Sequence, residues 1–175
     1  MKLYVVRHGQ TNFNLKHIMQ GTIDNDLNQN GINQIEKVAE KLKDVKFDIC
    51  FSSPLIRARK TLEIITKQDY IVDNRLIERG LGVFEAKESE TYDKVLYWDY
   101  DKNSSFGGVE PIKSIEKRIQ EFLVEIEEKY DDKTVLVVSH DAPIRMMNYL
   151  IKGFDNDTNF LDLKLENGCI LEYDI

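Results

Sequence analysis

The sequence predicts a three-layer α/β/α fold with a mostly parallel central sheet, an antiparallel edge strand and a C-terminal β-hairpin. Three observations carry this. Strand-like and helix-like segments alternate along the chain, the order that builds βαβ units. The runs "KLYVV" at 2–6 and "KTVLVVSH" at 133–140 are apolar at consecutive positions, as strands covered on both faces must be. Near the C-terminus, Leu161, Leu163 and Leu165 alternate with polar residues, Asn167-Gly168 supplies a tight turn, and "CILEYDI" returns.

The elements follow in order. "KLYVV" is a short first strand. "GINQIEKVAEKLKD" places Ile32, Ile35, Val38, Ala39 and Leu42 on one helical stripe. "FDICF" is a second strand, and Ser52-Ser53-Pro54 after it reads as a cap followed by a proline, the start of a helix carrying Leu55, Ala58, Leu62 and Ile65. "YIVD" is strand-like, "SIEKRIQEFLVEIEEKY" a long amphipathic helix, and "APIRMMNYLI" the helix after the most apolar strand. Residues 1–175 read as one domain, with a weakly periodic segment at about 85–110, around Tyr92, Leu96 and Trp98, covering something.

Composition excludes several function classes. A net charge of −7 disfavours a broad nucleic-acid surface, so an anionic partner must meet a local basic pocket. No apolar run reaches the ~20 residues of a membrane span. "MKLYVVRHG" has no secretion signal, and Cys50 and Cys169 read as reduced thiols, so the expected compartment is the cytoplasm.

Ligands of open α/β sheets bind beyond the carboxyl ends of the strands. His8 ends the first strand beside Arg7, and His140 ends "KTVLVVS". Either histidine alone reads as a hydrogen-bonded strand end; two at one rim beside an arginine read as a site. Metal binding fits poorly, because no His-x-x-x-His pair exists and His17 lies in a polar segment. Neither a Gly-x-Ser-x-Gly elbow nor a Gly-x-x-x-x-Gly-Lys phosphate loop is present.

The stretch "RHGQTNFN" resembles the Arg-His-Gly-x-Thr signature of the histidine phosphatase superfamily, the phosphoglycerate-mutase-like family, in its short phosphatase branch. The family's other blocks follow in order: "SSPLIRARKT" at 52–61, "LIERGLGVFEAK" at 76–87, "GGVEPIKSIEKR" at 107–118 and "VSHDAPIR" at 138–145. The resemblance implies a metal-independent phosphomonoester hydrolase, without a cofactor, acting on a small-molecule phosphate ester. His8 would be the nucleophile that forms a phosphohistidine. Arg7, Arg57 and His140 would bind phosphate oxygens, His140 as a cation or proton donor, with Asn14 and Gly21 adding loop contacts. Arg57 is preferred to its rivals Arg59 and Lys60 because it lies in the first helical turn, where side chains tilt back toward the strand ends. Glu78 would be the general acid, with Glu85 supporting it and Thr11 shaping the loop.

Three departures stand out. Ala86 and Asp141 occupy positions where the family usually has glycine, and "GGVEP" carries one extra residue. Asp141 is expected to point away from the phosphate, which its charge would repel. A phosphoglycerate-type mutase would use the same residues, and a non-catalytic phospholigand-binding protein is the third reading. The family's mutases are longer, so the short interval between Glu78 and His140 favours hydrolysis.

Overall fold

A computed structural model describes residues 1–155 and 157–175. The strands are β1 (Lys2–Arg7), β2 (Ile49–Ser52), β3 (Ile71–Val72), β4 (Thr134–Ser139) and β5 (Ile170–Asp174). The helices are α1 (Asn12–Leu15), α2 (Gln29–Leu42), α3 (Ile56–Ile65), α4 (Lys94–Trp98), α5 (Ile112–Tyr130) and α6 (Asp141–Lys152). The five strands form one mixed sheet in the order β3-β2-β4-β1-β5, parallel throughout except for the β1–β5 pair.

Side-chain alternation explains the three layers. Leu3, Val5, Val135 and Val137 face one side, where Ile115, Ile119 and Phe122 of α5 and Ile144 and Met147 of α6 cover them. Tyr4, Val6, Leu136 and Val138 face the other, against Ile35 and Val38 of α2 and Ala58 and Leu62 of α3. Burying each large apolar side chain contributes about 1.5–3 kcal/mol, so a consecutive apolar run is stable only when both faces are covered. The N-terminal end of α2 presses on the loop after β1. A Cβ at Gly31 would meet the Gln10 carbonyl oxygen at 2.1 Å, so this crossing requires glycine.

Two expectations about elements are corrected. The C-terminal hairpin does not form. Residues 160–162 make a 3₁₀ turn, the chain to Gly168 has no strand partner, and β5 pairs antiparallel with β1. The carbonyls of Phe160 and Leu163 accept hydrogen bonds from Arg145 Nη1 at 2.6 and 2.7 Å, and that of Leu165 accepts one from Arg7. Guanidinium groups thus satisfy acceptors that a strand ladder would have used. The leucine alternation marks a strap, and the Asn167-Gly168 turn docks on β1, with Gly168 N donating to the Arg7 carbonyl at 3.0 Å.

The second correction concerns α3. Its N-cap is Leu55, with no side-chain capping bond; the carboxylate of Asp24 accepts from Ile56 N at 2.7 Å instead. Ser53 is left for another partner. The 85–110 segment holds α4 and two short 3₁₀ turns, and Tyr92, Tyr97, Leu81 and Val109 form a small apolar cluster of their own.

Candidate active site

Register brings the two histidines together. In the parallel β1–β4 pair Arg7 lies opposite Ser139, so His8 and His140 leave the sheet side by side, with ring centroids 5.0 Å apart. A cavity of about 550 Å³ opens there, lined by Arg7, His8, Asn14, Gly21 and Glu78 among others. Arg57 and His140, fully buried, do not line it.

His8 is oriented by its neighbour. Its Nδ1 lies 2.7 Å from the Gly9 carbonyl oxygen. A carbonyl can only accept, so Nδ1 carries the proton and Nε2 keeps its lone pair. Burial, reinforced by Arg57 and Arg7, lowers the imidazole well below its ordinary range. The ring is neutral at neutral pH and able to act as a nucleophile.

His140 is neutral for similar reasons, since burial, Arg57, His8 and Arg7 all disfavour its charge. The expected cation is corrected; a proton-donor role remains open to it. Its Nε2 lies 2.6 Å from Ser53 Oγ, the partner left free by the absent helix cap. Arg57 supports the site from behind. Its Nη1 and Nη2 donate to the carbonyls of Ile23 and Gly21 at 2.8 and 2.9 Å, holding the loop over the histidines. Burial pushes this guanidinium down to about 10, still cationic near neutrality.

The loop itself is tied internally. Thr11 caps α1 and, with Asn167, engages Asn14 Oδ1, so the amide nitrogen of Asn14 is its unused donor among the described residues. Gly21 has φ +53°, and a Cβ there would sit 2.2 Å from Glu85 Oε1. That oxygen accepts from Thr22 N and Leu81 N at 2.9 and 3.2 Å, joining the two sides of the cavity.

Glu78 Oε1 accepts backbone bonds from Arg79 N at 2.8 Å and Ala142 N at 3.1 Å. These bonds, Arg57 and Arg7 favour the carboxylate; burial, followed by the charge of Asp141, outweighs them and raises the carboxyl above its ordinary range.

Some neighbours carried no signal in the sequence. Arg79 is almost fully buried against the Trp98 ring, with Nε on the Glu110 carbonyl and neither Nη partnered among the described residues. Arg145 also lies over Trp98 and holds the C-terminal strap. Asp141 lines the cavity and contacts both Arg7 and Arg145, contrary to the expectation that it points away. Glu78-Arg79 and His140-Asp141 are adjacent in sequence to recognisable residues, yet no spacing rule assigns their direction. Among the described residues no group of three or more His, Cys, Asp or Glu is placed to hold a metal ion. No helix there is long and apolar enough to cross a membrane.

Comparison with known proteins gives a consistent result. A family model described as "Histidine phosphatase superfamily (branch 1)" matches residues 3–175. Phosphoserine phosphatase 1 of Hydrogenobacter thermophilus is 32% identical over 164 residues, spanning 89% of this chain and 78% of that protein. A 2,3-bisphosphoglycerate-dependent phosphoglycerate mutase of Thermoplasma acidophilum is 30% identical over 183 residues, spanning 100% of this chain and 89% of that protein. Among solved structures, a phosphoserine phosphatase of Entamoeba histolytica in complex with 3-phosphoglyceric acid superposes with a TM-score of 0.80 at 30% identity, over 98% of this chain and 89% of that one.

Proposed function

The chain belongs to the histidine phosphatase superfamily, and from that membership we propose how this phosphomonoester hydrolase of small phosphorylated metabolites uses its own residues. His8 Nε2 attacks phosphorus, and the bond to the ester oxygen breaks with its electron pair going to that oxygen. Glu78, whose carboxyl burial raises above its ordinary range, supplies the proton the departing alkoxide needs. Water then attacks the phosphohistidine and gives a proton to the Glu78 carboxylate. The P–N pair returns to Nε2, and phosphate leaves. The whole chain acts as one catalytic domain, with 85–110 as the cover over the leaving group.

One observation supports this reading above the others. Arg7 Nε, Arg57 Nε and His140 Nδ1 are buried without partners among the described residues, around a histidine whose free nitrogen is Nε2. An unsatisfied buried polar group costs about 1–3 kcal/mol. Arg7 lines the cavity, so phosphate oxygens there would satisfy its Nε directly, whereas Arg57 and His140, buried behind the wall, would have to turn toward it; donors held around the phosphate stabilise charge that moves during transfer. These basic groups offset the phosphate charge without a divalent ion, and Asn14 and Gly21 would complete the cradle. Lys94 and Lys164 also line the cavity and suit a substrate with a second acidic group, as phosphoserine or a phosphoglycerate has. The free thiols Cys50 and Cys169 suit a cytoplasmic enzyme.

Mutase activity is the second reading. Length does not separate the two, because a relative named as a mutase aligns with the whole chain at little greater length. The product decides. With 3-phosphoglycerate and excess chelator, a hydrolase releases inorganic phosphate and a mutase yields 2-phosphoglycerate. Isomer without phosphate release would replace hydrolysis by mutase action, and turnover only after added metal would overturn the metal-free mechanism.

A further inference from the structure

We infer that Asp141 is a built-in counter-anion for Arg7, which competes with phosphate for that guanidinium and so weakens retention of the product. This inference rests on Arg7 binding phosphate, as proposed above. Asp141 is the first residue of α6, immediately after His140, and its side chain lines the cavity. Its carboxylate makes two unequal engagements. Arg145 holds it with Nε and Nη2, at 3.1–3.3 Å. Arg7 Nη1 lies further away, at 3.5 Å from Oδ1.

Arg145 is the fixed partner. It is nearly buried, its Nη1 is anchored on two strap carbonyls, and its guanidinium lies over Trp98. Arg7 is the incompletely satisfied partner. Apart from the Leu165 carbonyl and Asp141, it has a buried Nε with no partner among the described residues. A phosphate dianion offers Arg7 more charge and more acceptor oxygens than one distant carboxylate. Entry of phosphate therefore displaces the weak Arg7–Asp141 contact, while the Arg145 pair keeps Asp141 in place beside the bound anion.

A fixed negative charge a few ångströms from a dianion, in a partly enclosed site, opposes its binding. Substrate ester and free phosphate both feel this, but the product has no leaving group with which to recover affinity elsewhere in the cavity. The charge thus limits product inhibition at some cost in KM.

Phosphate binding tests this directly, by calorimetry with inorganic phosphate and by its competitive inhibition of turnover, on wild type, Asp141→Asn, Asp141→Gly and Arg7→Met. Both Asp141 variants should bind phosphate about tenfold more tightly and show a lower KM, a gain that structural damage does not produce. In the Arg7→Met background the gain from Asp141→Asn should shrink. If Arg7→Met weakens phosphate binding but neither Asp141 variant tightens it, the counter-anion role is overturned and the phosphate site stands. If Arg7→Met leaves phosphate binding unchanged, the phosphate-site reading and this inference both fail.

Discussion

Glu78 is bonded to the first turn of the helix that follows His140: its Oε1 accepts from Ala142 N at 3.1 Å. The proposed proton donor and the second histidine are thus held by one helix start, although they come from distant parts of the chain. Donated backbone bonds alone would favour a carboxylate; burial reverses the balance.

A proton donor matters only when the departing oxygen is basic. In single-turnover phosphorylation of the enzyme, Glu78→Gln should slow transfer from an alkyl phosphate by about 10²–10⁴ and leave transfer from nitrophenyl phosphate nearly unchanged. Equal slowing with both leaving groups would make Glu78 a binding or structural residue.

The same group links stability to pH. An unfolded glutamate titrates near ~4.3, whereas folded Glu78 is raised above that. Its stabilising contribution is fully present below about pH 4 and is lost as pH rises through the folded value, because the unfolded chain releases its proton first. Glutamine does not titrate. The stability of Glu78→Gln relative to wild type should therefore increase with pH across this window, by up to about 1.4 kcal/mol per pH unit. His8 and His140 are present in both proteins and cancel in the comparison. Urea unfolding at several pH values measures the difference, and a flat difference would refute the raised carboxyl.

Ala86 has φ +60°, in the left-handed region, and is exposed. That conformation costs an L-residue roughly 1–2 kcal/mol, partly offset in a glycine variant by the entropy lost on folding. Ala86→Gly should raise unfolding stability by about 0.5–1 kcal/mol with an unchanged denaturant slope. A destabilised variant would show that the methyl group makes contacts worth more than the strain.

What the sequence revealed depended on whether a feature is local. The apolar runs ending in Arg7-His8 and His140 announce both the buried strands and the rim where the site lies, and the helical stripes of α2, α3, α5 and α6 follow from their periodicity. The hairpin expectation failed because Leu161, Leu163 and Leu165 do alternate inward, while Arg145 and Arg7 take the carbonyls that would have paired. Neither bond has a local signature. Ser53 looked like a helix cap because serine before proline usually is one, but it faces His140 across the sheet ends. Repulsion of phosphate alone predicts an Asp141 turned away; the Arg145 pair that holds it toward the cavity is an i,i+4 contact legible only once α6 is known to place both there.

His8 is the proposed nucleophile, with Nδ1 held by the Gly9 carbonyl and Nε2 free. The most direct measurement is rapid acid-free quenching of the enzyme with a ³²P-labelled phosphate monoester, followed by mapping of the label. Acid-labile, base-stable label is expected on His8 and absent from His8→Ala. Label that persists in His8→Ala, or that maps to Ser52 or Ser53, would contradict it.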